Sequence, residues 1–172
     1  MKINKAKHLL YFILFLTLSC SIKNDIVRDE PEYRVIGIKD GDTIEILYNG
    51  KSQIIRLAHI DCPEKKQPFG NAAKKYTSNL CFGKNVRIIP TGKKDRYKRL
   101  IAEVYVGSRC VNKALVKAGM AWHYTKYSDD TEYAQLEKKA RQKRVGLWSD
   151  QNPVAPWIWR TIRKSTTPTG RK

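Results

Sequence analysis

Apolar and polar positions alternate with a period near two from Tyr33 onward, then shift to spacings of three and four, so strands are expected first and helices later. Val35, Ile36 and Ile38 mark a first strand, Asp40 Gly41 Asp42 a turn, and residues 43–48 a second strand. Asn49 Gly50 predicts a type I′ hairpin turn, since both positions favour positive φ, and it leads into a third strand over 53–60. The spacing of Ala73, Tyr76 and Leu80 predicts a helix over 70–81, with Gly83 as its stop. Residues 85–89 and 100–106 read as the fourth and fifth strands, separated by a polar, basic loop over 93–99. Val111, Leu115 and Ala118 lie on one face of a short helix ending before Gly119. Tyr133, Leu136 and Ala140 do the same for a charged helix over 131–144, followed by Gly146 Leu147 Trp148.

Three strands, a helix, two strands and two more helices describe an α+β chain. Five short strands interrupted by a helix after the third fit an OB-type barrel, which closes its sheet and leaves no long edge. With 172 residues, 41% of them apolar, the chain is long enough for one domain with attachments. Residues 33–150 are that domain. Residues 151–172 form an extension in which Trp157 and Trp159 are expected to pack back and the last eight residues to fray.

The N-terminus predicts export. Lys2, Lys5 and Lys7 precede an apolar run over 9–18, shorter than the roughly 20 residues of a membrane-spanning helix, so residues 1–19 read as a signal peptide. Its end, Leu16 Thr17 Leu18 Ser19 Cys20, resembles a bacterial lipoprotein signal, with Cys20 the lipidated first residue of the mature chain; the alternative is cleavage nearby and free secretion. Residues 20–32 are polar and aperiodic, a tether that would hold the domain at a membrane surface outside the cytoplasm. Cys62, Cys81 and Cys110 are then odd in number and form no CxxC pair, and buried free thiols are expected.

Charge changes the picture. The first nineteen residues hold three of the 34 basic side chains and none of the 16 acidic ones, so the remainder keeps a net charge of +15. That field favours a polyanion, either nucleic acid or an anionic membrane.

The chemistry gathers in three stretches: Asp40 Gly41 Asp42 Thr43, residues 56–64, and residues 95–99. The Asn49 Gly50 hairpin brings the far ends of strands two and three together, so Asp42 and Asp61 should meet at one rim. Two carboxylates that close repel unless a cation lies between them, and an all-oxygen pocket suits Ca²⁺ or Mg²⁺. Arg56 and Arg99 beside such a cation would make a phosphate site. Taken singly, each motif also reads as a turn, a strand exit or a surface charge.

Asp40 Gly41 Asp42 Thr43, Arg56 Leu57, Ile60 Asp61 Cys62 Pro63 Glu64, Asp95 Arg96 Tyr97 with Arg99, and Gly146 Leu147 Trp148 occur together in an order that resembles the staphylococcal nuclease (thermonuclease) family, from about residue 33 to 149. The resemblance implies an OB-fold barrel with three helices. It also implies a Ca²⁺-dependent phosphodiesterase acting on DNA and RNA with little sequence specificity, leaving 3′-phosphate ends. By motif position, Asp42, Asp61 and the Cys62 backbone carbonyl would be the metal ligands, Arg56, Glu64 and Arg99 the catalytic trio, and Arg96 and Tyr97 phosphate contacts. For a further phosphate tyrosine, Tyr124 and Tyr127 compete. Where many relatives have Gly before the catalytic Arg this chain has Lys98, and where the first-described members have Thr after the second metal Asp it has Cys62. A monomer is expected. A non-catalytic nucleic-acid-binding OB module is the alternative, although such a module has no evident need for Asp42, Asp61 and Glu64.

Overall fold

A computed structural model describes residues 31–166 of the chain. Five main strands, β1 (Glu32–Ile38), β2 (Thr43–Tyr48), β3 (Lys51–Leu57), β5 (Asn85–Lys94) and β6 (Leu100–Val106), form a closed barrel. Antiparallel pairing joins β1 to β2, β2 to β3, β1 to β5 and β5 to β6, and the parallel pairing of β3 with β6 closes the ring. Short strands β4 (Ile60–Asp61), β7 (Arg109–Cys110) and β8 (Trp122–His123) complete the sheets. The α+β OB-type barrel is therefore present, and its inward side chains follow the period of two: Val35, Ile44, Ile46, Ile55, Leu57, Val86, Ala102 and Val104 are all buried.

The β2–β3 turn is as expected, with Asn49 at φ 48° and Gly50 at φ 73°. The third strand is shorter than its pattern suggested. It ends at Leu57, where Ala58 and His59 turn the chain, His59 at φ 67°, and Ile60 and Asp61 then pair with His123 and Trp122. The fourth strand is longer, because a register shift between Pro90 and Lys94 lets β5 continue to Lys94 against β6.

Helices α1 (Gly70–Cys81), α2 (Val111–Lys117) and α3 (Thr131–Gln142) close the barrel ends. Buried Asn112 links α2 to the turn after β3: its Nδ2 donates to the carbonyls of Ala58 and Ala102, and its Oδ1 accepts from the Val104 N–H. Three helices were expected, and the described residues hold four. Beyond a one-turn 3₁₀ helix (Gly146–Ser149), α4 (Pro156–Thr166) starts with Pro at its first position and ends with Arg163 and Lys164 in its last turn, both favourable placements. Ser165 and Thr166, expected to fray, are helical; residues 167–172 and Cys20 lie outside the described residues. Trp157 packs as anticipated, stacking on Tyr124 at 5.2 Å between ring centroids and edge-on to Trp122 at 5.6 Å. Cys62, Cys81 and Cys110 are buried free thiols.

Candidate active site

The site lies where β2 begins and β3 ends. Ile55 and Leu57 point into the barrel, so Arg56 between them faces out, directly across from Thr43. The turn before β2 is pinned by Asp40, whose Oδ1 accepts the Asp42 N–H at 3.1 Å. Gly41 is required there by space: a Cβ would sit 2.8 Å from the Cys62 Cβ and 2.9 Å from that of Ala73. That close approach carries the Cys62 main chain to Asp42, whose Oδ2 accepts the Cys62 N–H at 2.6 Å.

Asp42 and Asp61 do meet at one rim, and a guanidinium lies between them. Arg56 Nη1 is 2.8 Å from Asp42 Oδ2, and Arg56 Nη2 is 2.9 Å from Asp61 Oδ1. Burial opposes the charge on Arg56, but the two carboxylates outweigh it and hold the guanidinium above its ordinary pKa. For Asp42 burial wins: it pushes the carboxyl up to about 8, with Arg56 working against it and Asp40 and Asp61 adding to it. Burial likewise raises the Cys62 thiol well above its usual value, so that side chain is a small hydrophobe here.

Arg99 reaches the same rim from β6. The parallel register sets Leu100 beside Ile55 and Ile101 beside Arg56, which places Arg99 just outside the barrel mouth. Its Nη1 donates to Thr43 Oγ1 at 3.2 Å, and Thr43 Oγ1 is 3.2 Å from Asp42 Oδ1. Asp95 aims it, accepting from Arg99 Nε at 2.7 Å and from the Arg99 and Tyr97 main-chain N–H groups. Arg96 Nη2 donates to the Tyr97 hydroxyl at 2.6 Å, and the exposed Tyr97 ring lies 5.3 Å from the Arg99 guanidinium carbon, so both phosphate candidates stand beside Arg99. Lys98 has φ 61°, a left-handed backbone in the loop that carries Arg99.

Glu64 sits past the Pro63 break on a loop held by buried Gln67, whose Oε1 accepts the Glu64 N–H and whose Nε2 donates to the Val154 carbonyl at 2.6 Å. Gly70 lets α1 begin against this loop, since a Cβ would lie 1.9 Å from the Glu64 carbonyl oxygen. Arg160 of α4 completes the rim, contacting both Asp61 and Glu64. Tyr124 and Tyr127 meet edge-on, and Tyr124 stacks on Trp157.

Asp95 stood in the 95–99 motif without a role of its own, and Gln67 and Arg160 were missed as site residues. Asp95 carried a signal, an Asp four residues before Arg; Arg160 had none, because its partners are nearly a hundred residues away, and Gln67 bonds both the nearby Glu64 N–H and the distant Val154 carbonyl, which nothing in the sequence joins to it.

Asp42 and Asp61 offer oxygen donors only, and they meet at one rim beside the Cys62 main chain. That chemistry fits a hard divalent cation. Among the described residues, no three His, Cys, Asp or Glu side chains form a preformed metal cluster.

Residues 54–150 match the family described as Staphylococcal nuclease homologue. Over 154 residues the chain is 45% identical to a Haemophilus influenzae protein named "Uncharacterized endonuclease", covering 88% of this chain and 83% of that protein. It is 40% identical to the "Micrococcal nuclease" of Shigella flexneri, covering 77% and 82%. It is 38% identical to "Staphylococcal-like nuclease CAN1" of Arabidopsis thaliana, covering 77% of this chain and 39% of that longer protein. With its barrel closed in the expected order and the family match spanning more than half its length, the chain belongs to the staphylococcal nuclease homologue family.

Proposed function

We propose that this protein is a Ca²⁺-dependent nuclease that hydrolyses phosphodiester bonds in DNA and RNA with little sequence specificity and leaves 3′-phosphate ends. The observation that carries the reading is the convergence of Asp42, Arg56, Asp61, Glu64 and Arg99 at one rim of the barrel, from five separate positions in the sequence. The nuclease names of the relatives support it.

Asp42, Asp61 and the Cys62 main-chain carbonyl would hold Ca²⁺, which supplies positive charge for a non-bridging phosphate oxygen and for a bound water. Arg56 and Arg99 supply guanidinium N–H groups to the phosphate oxygens and stabilise the charge that grows there as the attacking oxygen bonds to phosphorus. Glu64 accepts a proton from the attacking water or orients it. Asp95 keeps Arg99 aimed at the rim, and Arg96 and Tyr97 extend the phosphate-binding surface beside it. Because the two arginines act on the transition state more than on the substrate, losing either should lower kcat by about 10²–10³-fold with a smaller change in KM.

The export signal and lipidation at Cys20 belong to the same proposal, supported by the basic N-terminus and its short apolar run. An exported enzyme would meet nucleic acid outside the cytoplasm.

The test is degradation of single- and double-stranded DNA and of RNA by the full chain with Ca²⁺, with Mg²⁺ and with a Ca²⁺ chelator, with the product ends analysed. Cleavage that requires Ca²⁺ and leaves 3′-phosphates is expected. Tight binding without cleavage in any condition would overturn the reading in favour of a non-catalytic binding module.

A further inference from the structure

Arg160 lies ten residues beyond the family match and on a helix that the three-helix barrel does not include. Its Nη2 is 2.6 Å from Asp61 Oδ2, and its Nη1 is 2.7 Å from Glu64 Oε1 and 3.3 Å from Asp61 Oδ1. Asp61 Oδ1 is shared with Arg56, whereas Oδ2 is paired with Arg160 alone among the described contacts. Burial opposes the charge on Arg160, but the hydrogen bonds to Asp61 and Glu64 outweigh it and hold its pKa above the ordinary value.

The two guanidiniums at Asp61 are held very differently. Arg56 is on a barrel strand, its side chain is 13% exposed, and it also donates to the Leu57 carbonyl at 3.2 Å. The Arg160 side chain is 40% exposed, and among the described residues it pairs with the two carboxylates. Its helix is anchored separately, by Trp157 on Trp122 and Tyr124, by buried Ala155, and by the Gln67 bond to the Val154 carbonyl. The head of Arg160 can therefore leave the carboxylates while the stem of α4 stays docked.

A divalent cation bonds to carboxylate lone pairs and repels a guanidinium already on them. We propose that Arg160 is a tethered competitor for the cation: it occupies Asp61 and Glu64 in the metal-free protein and must release them when the site fills. It thereby sets the Ca²⁺ concentration at which the enzyme becomes loaded. This inference rests on the reading of Asp42 and Asp61 as the cation site. It assigns to a residue outside the matched family segment a role in that site that the barrel alone does not supply.

The test is calorimetric titration of the metal-free full chain with CaCl₂ in the absence of nucleic acid, comparing the wild type with Arg160→Gln, Arg160→Lys, Lys164→Gln and Asp61→Asn. Removing a partly exposed ion pair should tighten Ca²⁺ binding by about three- to tenfold in Arg160→Gln. Arg160→Lys, which keeps the charge but loses the fork, should fall between the two. Lys164→Gln removes the same charge from the same helix without touching the carboxylates and should bind as the wild type does. Far-UV circular dichroism and the melting temperature verify that each variant is folded. Equal or weaker binding by Arg160→Gln, with wild-type binding abolished by Asp61→Asn, overturns the inference alone. Wild-type binding that ignores Asp61→Asn, or no binding by any variant, overturns it together with the reading of the cation site.

Discussion

Lys98 holds a left-handed backbone that costs a side-chain-bearing residue of order 1 kcal/mol or more and that glycine adopts freely. It does so in the loop where Asp95 grips the Arg99 side chain and main chain, so the strain is borne by the hydrogen bonds that aim a catalytic candidate. Lys98→Gly should raise stability by about 0.5 kcal/mol, the relieved strain being partly offset by the added freedom of the unfolded chain, measured by urea unfolding. Asp42 makes a second prediction at this scale. Its folded carboxyl is raised from 3.8 to about 8, so the metal-free fold favours the protonated form. That contribution is complete below the ordinary value and is lost as pH rises through about 8. A cation needs the ionised form, so the Ca²⁺-induced rise in Tm should be larger at about pH 9 than at about pH 6, read by thermal melts with and without Ca²⁺.

At the scale of elements, the barrel holds the site by joining the start of β2, the end of β3 and the start of β6. Asn112 is the tie between α2 and this corner, with three buried hydrogen bonds to three backbone groups. Asn112→Ala removes this partner from the Val104 N–H and the Ala58 carbonyl, while the Ala102 carbonyl keeps the Ala58 N–H, and should cost about 2–3 kcal/mol in denaturant unfolding. The barrel strands, the hairpin turn and the first three helices were legible because alternation, Asn49 Gly50 and the spacing of Ala73, Tyr133 and Ala140 are local signals. The break after Leu57 was not, since it depends on His59 in a left-handed turn and on pairing with Trp122 and His123, more than sixty residues away. The meeting of Asp42 and Asp61 followed from hairpin geometry. The guanidinium between them came from Arg56 itself, and the contact of Arg160 with Asp61 and Glu64 spans nearly a hundred residues with no periodic mark in the sequence.

For the whole molecule, the full chain carries a net charge of +18, or +15 without the first nineteen residues, and the rim carries three carboxylates. The excess positive charge draws in a polyanion without reading its sequence, while at the rim Arg56 and Arg160 pair with the three carboxylates. Substrate capture should therefore weaken steeply with salt, with a slope of about −0.9 per duplex phosphate neutralised, while the chemical step changes little. Kinetics over a KCl series should show KM rising and kcat nearly constant. Extending the chain past the barrel with α4 brings a further cation to the same rim, so the C-terminal segment and the nuclease-like domain share one electrostatic site.

The proposed hydrolysis at this rim depends on Glu64, and Glu64→Gln removes it. Glu64 is partly exposed on a loop whose backbone is held by Gln67 and Gly70, so the substitution removes one ionisable group and leaves the fold in place. The measurement is single-turnover cleavage of DNA with saturating Ca²⁺, beside the wild type and with DNA binding measured in parallel. Loss of a general base or water-orienting group predicts a fall of about 10²-fold or more in the cleavage rate with DNA binding retained. Cleavage at the wild-type rate by a folded Glu64→Gln protein would mean that Glu64 has no part in hydrolysis and that the rim is not the active site.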